Sequence, residues 1–233
     1  MRVDFGHRLK VGELLIGTIV TLSAPEVTEV FVEAGYDFLF IDTEHGPMDI
    51  EAAQRLLQVA HGCACIVRVP DNNEVWIKKT LDIGADGLII PLVNDASTAS
   101  RVVEYAKYPP MGARSVGLAR AHGYGMNFQG YVESANNETS IVLQAEHISA
   151  VENMSAIVAV EGIDAILVGP YDLSASMGYL GRPNHPVVQE AIDEIARCCQ
   201  SAGKTIGIFG ATPQAVEPYI KKAIGLLRLE SIQ

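Results

Sequence analysis

The sequence is short of the features that mark membrane, nucleic-acid-binding and disulfide-built proteins. No apolar run approaches the ~20 residues that a membrane-crossing helix needs, and no charged-then-apolar leader opens the chain. Basic residues are scarce: 17 Lys and Arg stand against 28 Asp and Glu, a formal net charge of −11. No basic cluster offsets that balance, so the surface repels nucleic acid overall. A small anionic substrate would need a local arginine or a metal ion to hold it. Cysteine is limited to Cys63, Cys65, Cys198 and Cys199. Neither pair has zinc-ribbon spacing, and together they make a poor disulfide framework. They read as reduced, mostly core thiols of a cytoplasmic protein. Charged residues make up only 19% and apolar residues 48%, which argues against disorder and supplies a sizeable core.

What is present points to one domain spanning residues 1–233, near the lower end for an eight-fold βα barrel. Apolar runs occur at 14–20, 37–41, 64–69, 87–92, 140–145, 165–168 and 205–209, with a weaker one at 226–230. They are continuous rather than alternating, as buried parallel strands should be. Helical patterns lie between them. In one, Pro25 stands near the start, Val27, Val30, Phe31 and Ala34 share a face, and Gly35 stops it. In another, Val188, Ala191, Ile192, Ile195 and Cys199 share a face. The repeat of βα units, without a GxGxxG turn, favours a closed (β/α)8 TIM barrel over a doubly wound sheet. One long stretch, 108–138, is rich in Gly, Asn and Pro and reads as a functional loop.

In such a barrel the catalytic groups gather where the strands end. The candidate ends read Asp42-Thr43-Glu44-His45-Gly46-Pro47, Arg68-Val69-Pro70, Pro91-Leu92-Val93, Gln144-Ala145-Glu146 and Gly169-Pro170-Tyr171-Asp172-Leu173-Ser174. Arg68 closes an apolar run with no acid beside it in sequence. Glu146 and Asp172 end neighbouring strands, so both carboxylates can converge on one hard cation, Mg²⁺ or Mn²⁺, completed by water and substrate oxygens. Gln144 shares a strand face with Glu146. Spacing alone leaves a second reading open, in which Asp172 or Ser174 caps a short helix. His45 is the general-base candidate, since a free histidine titrates near ~6.5; the plain alternative is a structural histidine. His7, His61, His122 and His185 read as solvated. His147, beside Glu146, stays open.

These segments, with Ala34-Gly35-Tyr36-Asp37-Phe38, Leu81-Asp82-Ile83-Gly84-Ala85-Asp86-Gly87 and Tyr108-Pro109-Pro110-Met111-Gly112-Ala113-Arg114-Ser115, resemble the HpcH/HpaI aldolase family over roughly residues 12–212. That family includes 4-hydroxy-2-oxoheptane-1,7-dioate and 2-dehydro-3-deoxyglucarate aldolases. The resemblance implies a class II aldolase that cleaves 4-hydroxy-2-oxo acids to pyruvate and an aldehyde, with Mg²⁺, Mn²⁺ or Co²⁺. By the same resemblance Glu146 and Asp172 are the metal ligands. Arg68 neutralises the enolate, and His45, oriented by Asp82, is the acid/base. Gln144 and the main chain around Tyr171 and Asp172 hold the pyruvate carboxylate and keto oxygen, while Asp42 hydrogen-bonds a metal-bound water. The 108–138 stretch helps form the substrate mouth. Where the family usually follows its ligand glutamate with a small hydroxyl residue, this chain has His147. Its last residues, Ala223 to Gln233, leave no room for the family's final helix, so the eighth βα unit is expected to be atypical or truncated.

Three other functions compete with this one. An acyl-CoA lyase of the citrate-lyase or malyl-CoA-lyase type needs a basic site for the CoA phosphates, which this acidic chain does not display. A Schiff-base aldolase needs a strand-end lysine, yet Lys10, Lys78, Lys79, Lys107, Lys204, Lys221 and Lys222 fall in helices, loops or a strand start. A non-catalytic barrel scaffold fits an incomplete last unit but leaves Arg68, His45, Glu146 and Asp172 without a purpose. Apolar surface left bare by the missing helix predicts a homo-oligomer.

Overall fold

The computed structural model describes residues 4–221 and 227–230. Its strands are β1 Leu15–Val20, β2 Phe38–Asp42, β3 Ala64–Arg68, β4 Gly87–Ile90, β5 Ser140–Ala145, β6 Ala165–Val168, β7 Thr205–Phe209 and β8 Leu227–Glu230. All neighbours are parallel, and helices connect them. The β8 backbone pairs with both β7 and β1, which closes the sheet into a barrel.

Burial on both faces explains why the strands read as unbroken apolar runs. Phe38, Phe40, Ile66, Ile89, Val142 and Leu167 fill the barrel interior. Their sequence neighbours Leu39, Ile41, Val67, Leu88, Ile90, Leu143 and Val168 pack outward against helices, as the two-residue period of a strand requires. The helix Phe5–Lys10 lies across the strand starts. Its Phe5 ring sits 5.3 Å from that of Phe38, and Thr205 Oγ1 donates to the Leu9 carbonyl at 2.8 Å.

The helix beginning at Pro25 runs to Glu33, and Gly35 beyond it takes a positive φ of 80°. Its buried face is Thr28 and Phe31, whereas Val30 is 64% exposed, so the expected face is rotated. The face of Pro186–Ser201 is as expected, with Val188, Ala191, Ile192, Ile195 and Cys199 all buried. Among the described residues no helix is long and apolar enough to cross a membrane.

The stretch 108–138 is not one irregular loop. Its last third is the helix Phe128–Glu138, which buries Tyr131 and Ala135, one turn apart. The rest is pinned by buried cations. The Arg114 guanidinium stacks 4.6 Å over Tyr108 and donates to Asp82 Oδ1 at 2.7 Å and to the Tyr131 hydroxyl at 3.2 Å. Lys107 Nζ donates to the Asn136 and Thr139 carbonyls, where the helix macrodipole is negative. His122 is buried rather than solvated. Its Nδ1 accepts from the Gly125 N–H at 2.9 Å, and its Nε2 lies 2.6 Å from the Gly117 carbonyl and 3.0 Å from the Ala119 nitrogen.

Candidate active site

Five strand ends supply the polar groups at the barrel mouth. In the parallel register Asp42 on β2 stands beside Arg68 on β3. Arg68 makes a two-pronged ion pair with it, Nε to Oδ1 at 2.9 Å and Nη2 to Oδ2 at 2.7 Å. The third nitrogen, Nη1, lies 3.1 Å from Glu44 Oε2 and donates to Gln144 Oε1 at 3.4 Å. The guanidinium also sits 5.0 Å over the Phe40 ring. Arg68 thus has acid partners after all. They come from the next strand and its following turn, where local sequence cannot show them.

Burial pushes the Asp42 carboxyl up, but the Arg68 hydrogen bonds and charge outweigh that and hold it below the usual range. Both Asp42 oxygens serve Arg68, and Oδ1 also accepts from the Glu44 N–H at 3.0 Å. Asp42 therefore anchors Arg68 first, ahead of any contact with a metal-bound water. Glu44 is the group the sequence left without a role. Burial raises its pKa, Arg68 lowers it less, and Glu146 adds to the rise. Its Oε2 is buried without a hydrogen bond.

Glu146, 6% exposed, is held at both oxygens. Oε1 accepts from the Leu92 N–H at 2.7 Å, and Oε2 accepts from Gln144 Nε2. Burial drives its pKa up, those hydrogen bonds oppose the rise, and the Asp172 charge adds to it. Gln144 is thereby oriented, its nitrogen toward Glu146 and its oxygen toward Arg68. A Cβ on residue 169 would stand 3.2 Å from Glu146 Cβ and 3.3 Å from Gln144 Nε2, so glycine allows this close approach.

Asp172 lies in the first turn of the helix Pro170–Ser176, whose N-cap is Gly169. The capping alternative therefore does not account for it, and its exposed carboxylate lines a cavity of about 370 Å³. Asp42, His45, Arg68, Gln144 and Tyr171 share that cavity with the apolar Ile19, Phe40, Leu167 and Phe209. The size suits a small substrate. Tyr171 packs edge-on against Phe209 at 6.0 Å.

His45 reaches the cavity with a side chain that is 65% exposed and Nε2 3.6 Å from Glu44 Oε2. Asp82 does not meet it within this chain. Asp82 ends the helix Glu74–Asp82, which runs back from the end of β3 toward the start of β4, and it pairs with Arg114. Among the described residues the carboxylate beside the imidazole is Glu44, and the expected role of Asp82 toward His45 is left as a proposal. His147 turns out to be a helix N-cap, its Nδ1 accepting from the Ser149 N–H at 3.1 Å. A serine or threonine would do the same, so the departure at this position is a local exchange. His185 is also not free in solvent, since its ring stacks on Tyr179 at 3.8 Å.

Among the described residues no group of three His, Cys, Asp or Glu side chains converges on a metal position. The donor set fits a hard cation nonetheless. Two carboxylates, Glu146 and Asp172, repel each other, and the Asp172 charge adds to the rise in the Glu146 pKa. An oxygen-loving divalent ion with retained waters needs no more protein ligands than that. A larger cavity, about 440 Å³, lies near the strand starts beside Leu57, Gly84, Asp86 and Arg120, and contains none of this cluster.

The model of the HpcH/HpaI aldolase/citrate lyase family matches residues 16–228. The chain belongs to that family. The 4-hydroxy-2-oxovalerate aldolase of Rhodococcus jostii is 38% identical over 220 residues, 93% of this chain and 85% of that protein. The 4-hydroxy-2-oxo-heptane-1,7-dioate aldolase of Shigella sonnei is 37% identical over 224 residues, 95% of this chain and 86% of that one. Among solved structures, an HpcH/HpaI aldolase/citrate lyase family protein from Burkholderia cenocepacia superposes with a TM-score of 0.94 at 31% identity. That match covers 98% of this chain and 93% of the other.

Proposed function

We propose that this chain is a divalent-metal-dependent pyruvate aldolase, which cleaves 4-hydroxy-2-oxo acids reversibly to pyruvate and an aldehyde. The observation that carries the reading is the buried guanidinium of Arg68, fixed by Asp42 at the cavity that Asp172 also lines. We read the chain as one (β/α)8 domain over residues 1–233 with an atypical eighth unit, on the strength of the β8 pairing. Four free cysteines support a cytoplasmic setting.

Glu146 and Asp172 would hold the cation. When bound, it supplies Lewis acidity to the carboxylate and 2-oxo oxygens of the substrate. Arg68, already stripped of water, meets the negative charge that grows on the 2-oxo oxygen as the C3–C4 bond breaks. Gln144 and the amides of Tyr171 and Asp172 seat the carboxylate. His45 takes the 4-hydroxyl proton, directly or across a water, and returns it in the aldol direction. Glu44, between Arg68 and His45, is better placed than Asp42 to order a water, because both Asp42 oxygens serve Arg68. The acyl-CoA lyase reading is weaker because the described cavity residues offer no arginine or lysine beyond Arg68, which Asp42 already pairs.

The deciding experiment is pyruvate release coupled to lactate dehydrogenase. EDTA should abolish it, and Mg²⁺, Mn²⁺ or Co²⁺ should restore it. Asp172→Ala should stay folded and lose metal affinity by roughly 100-fold or more, since a single carboxylate rarely retains a hard divalent ion. Because Glu146 must be ionised to bind and burial raises its pKa, metal affinity should begin to fall at a higher pH than an ordinary carboxylate would cause. Full turnover in a metal-free preparation would overturn the assignment.

We also propose a homo-oligomer. Leu118, Tyr124 and Met126, all in the pinned loop, are 82%, 65% and 92% exposed, an apolar group that solvent disfavours. Light scattering coupled to size exclusion should give more than one subunit; a monodisperse 25.0 kDa species would refute the claim.

A further inference from the structure

The end of β4 carries a backbone anomaly that the chemistry above leaves unused. Leu92 has φ +54°, and Tyr124 is the one other non-glycine with positive φ among the described residues. A leucine avoids that region because its Cβ crowds the backbone. Its side chain does not explain the choice, being 53% exposed while Ile90 and Val93 on either side are buried. What the turn achieves is a main-chain contact: it directs the Leu92 N–H at Glu146 Oε1, 2.7 Å away. The Asn72 side chain braces the turn from the loop after β3, its Nδ2 lying 3.4 Å from both the Pro91 and the Leu92 carbonyls. Gln144 holds the other Glu146 oxygen. Each carboxylate oxygen thus has one protein donor and keeps lone-pair capacity for a cation.

We infer that Leu92 is a positioning residue, whose left-handed backbone, braced by Asn72, fixes the Glu146 carboxylate for cation binding. The inference rests on the proposed metal role of Glu146. It makes residue 92 a position where backbone conformation matters and side-chain chemistry does not. Glycine and asparagine accept a left-handed backbone, whereas β-branched valine, closer to leucine in chemistry, resists it.

The test is Mn²⁺ affinity of the purified full chain, read from the free-ion electron paramagnetic resonance signal, with no substrate present. Leu92→Val should bind Mn²⁺ roughly 10-fold or more weakly, the usual effect of losing a partner that orients a ligand. Leu92→Gly and Leu92→Asn should remain within about threefold of wild type, since both tolerate the turn. Should Leu92→Val fail to fold, Asn72→Ala decides: it should weaken binding, and adding Leu92→Gly should restore it. A folded Leu92→Val with wild-type affinity would overturn the inference. So would Gly and Asn variants as weak as Val, which would assign the effect to the side chain. In the fallback arm, an unchanged Asn72→Ala would do the same. If wild type itself binds no Mn²⁺, the metal role of Glu146 falls, and this inference with it.

Discussion

Arg68→Ala is expected to abolish aldol cleavage and also the exchange of pyruvate methyl protons with D₂O, because both pass through a negative charge on the same 2-oxo oxygen. Proton NMR of pyruvate in D₂O measures the exchange without the aldehyde. Continued exchange at the wild-type rate would remove Arg68 from the enolate role. The change also reaches the stability of the fold. Asp42, 1% exposed, would be left as a buried charge without its cation. Breaking one side of a buried pair typically costs ~3–5 kcal/mol, which a urea denaturation curve would register. Arg68→Lys is therefore the sharper variant. It keeps the charge beside Asp42 but lacks the two-pronged fork, so it should recover part of the stability and little of the activity.

His45→Ala should behave in the opposite way. The imidazole is mostly exposed and its described ion partner is Glu44 at 3.6 Å, so little packing is lost and the melting temperature should barely move. Cleavage should nevertheless fall by roughly 10²–10⁴-fold, the usual contribution of a positioned general base. Pyruvate proton exchange should fall less, because it does not require a base at the 4-hydroxyl. The pH–rate profile of cleavage should lose the limb that the imidazole sets. A variant with an unchanged profile would show that another group takes the proton.

Strand positions were legible because a strand buried on both faces writes itself as an unbroken apolar run. The run at 37–41 differs by one residue from the observed Phe38–Asp42, and 87–92 overran Gly87–Ile90 where Pro91 and Leu92 leave the ladder. The mouth residues Arg68, Gln144 and Asp172 followed from the rule that barrel chemistry gathers at strand ends, and they do share a cavity. What sequence could not reveal were partners made across strands. The Asp42 side chain lies 26 residues from Arg68 in the chain and adjacent to it in the sheet. The Arg114 partner of Asp82 was hidden for the same reason, since it lies 32 residues away in the chain. The helix Phe128–Glu138 was hidden by glycine and asparagine, whose low helix propensity is overridden by burial of Tyr131 and Ala135. The left-handed Leu92 left no sequence signal at all.

The charge arrangement around Arg68 also bears on the order of events. Asp42, Glu44, Glu146 and Asp172 surround a single guanidinium. On the proposed reading, a 2-oxo acid arriving at such a mouth would add one more negative charge to this cluster of carboxylates. A bound divalent ion would offset part of that repulsion. On the proposed reading, electrostatics would favour the ion first and the oxo acid second. Substrate capture would then follow the free concentration of the ion, and a chain starved of metal would hold pyruvate weakly.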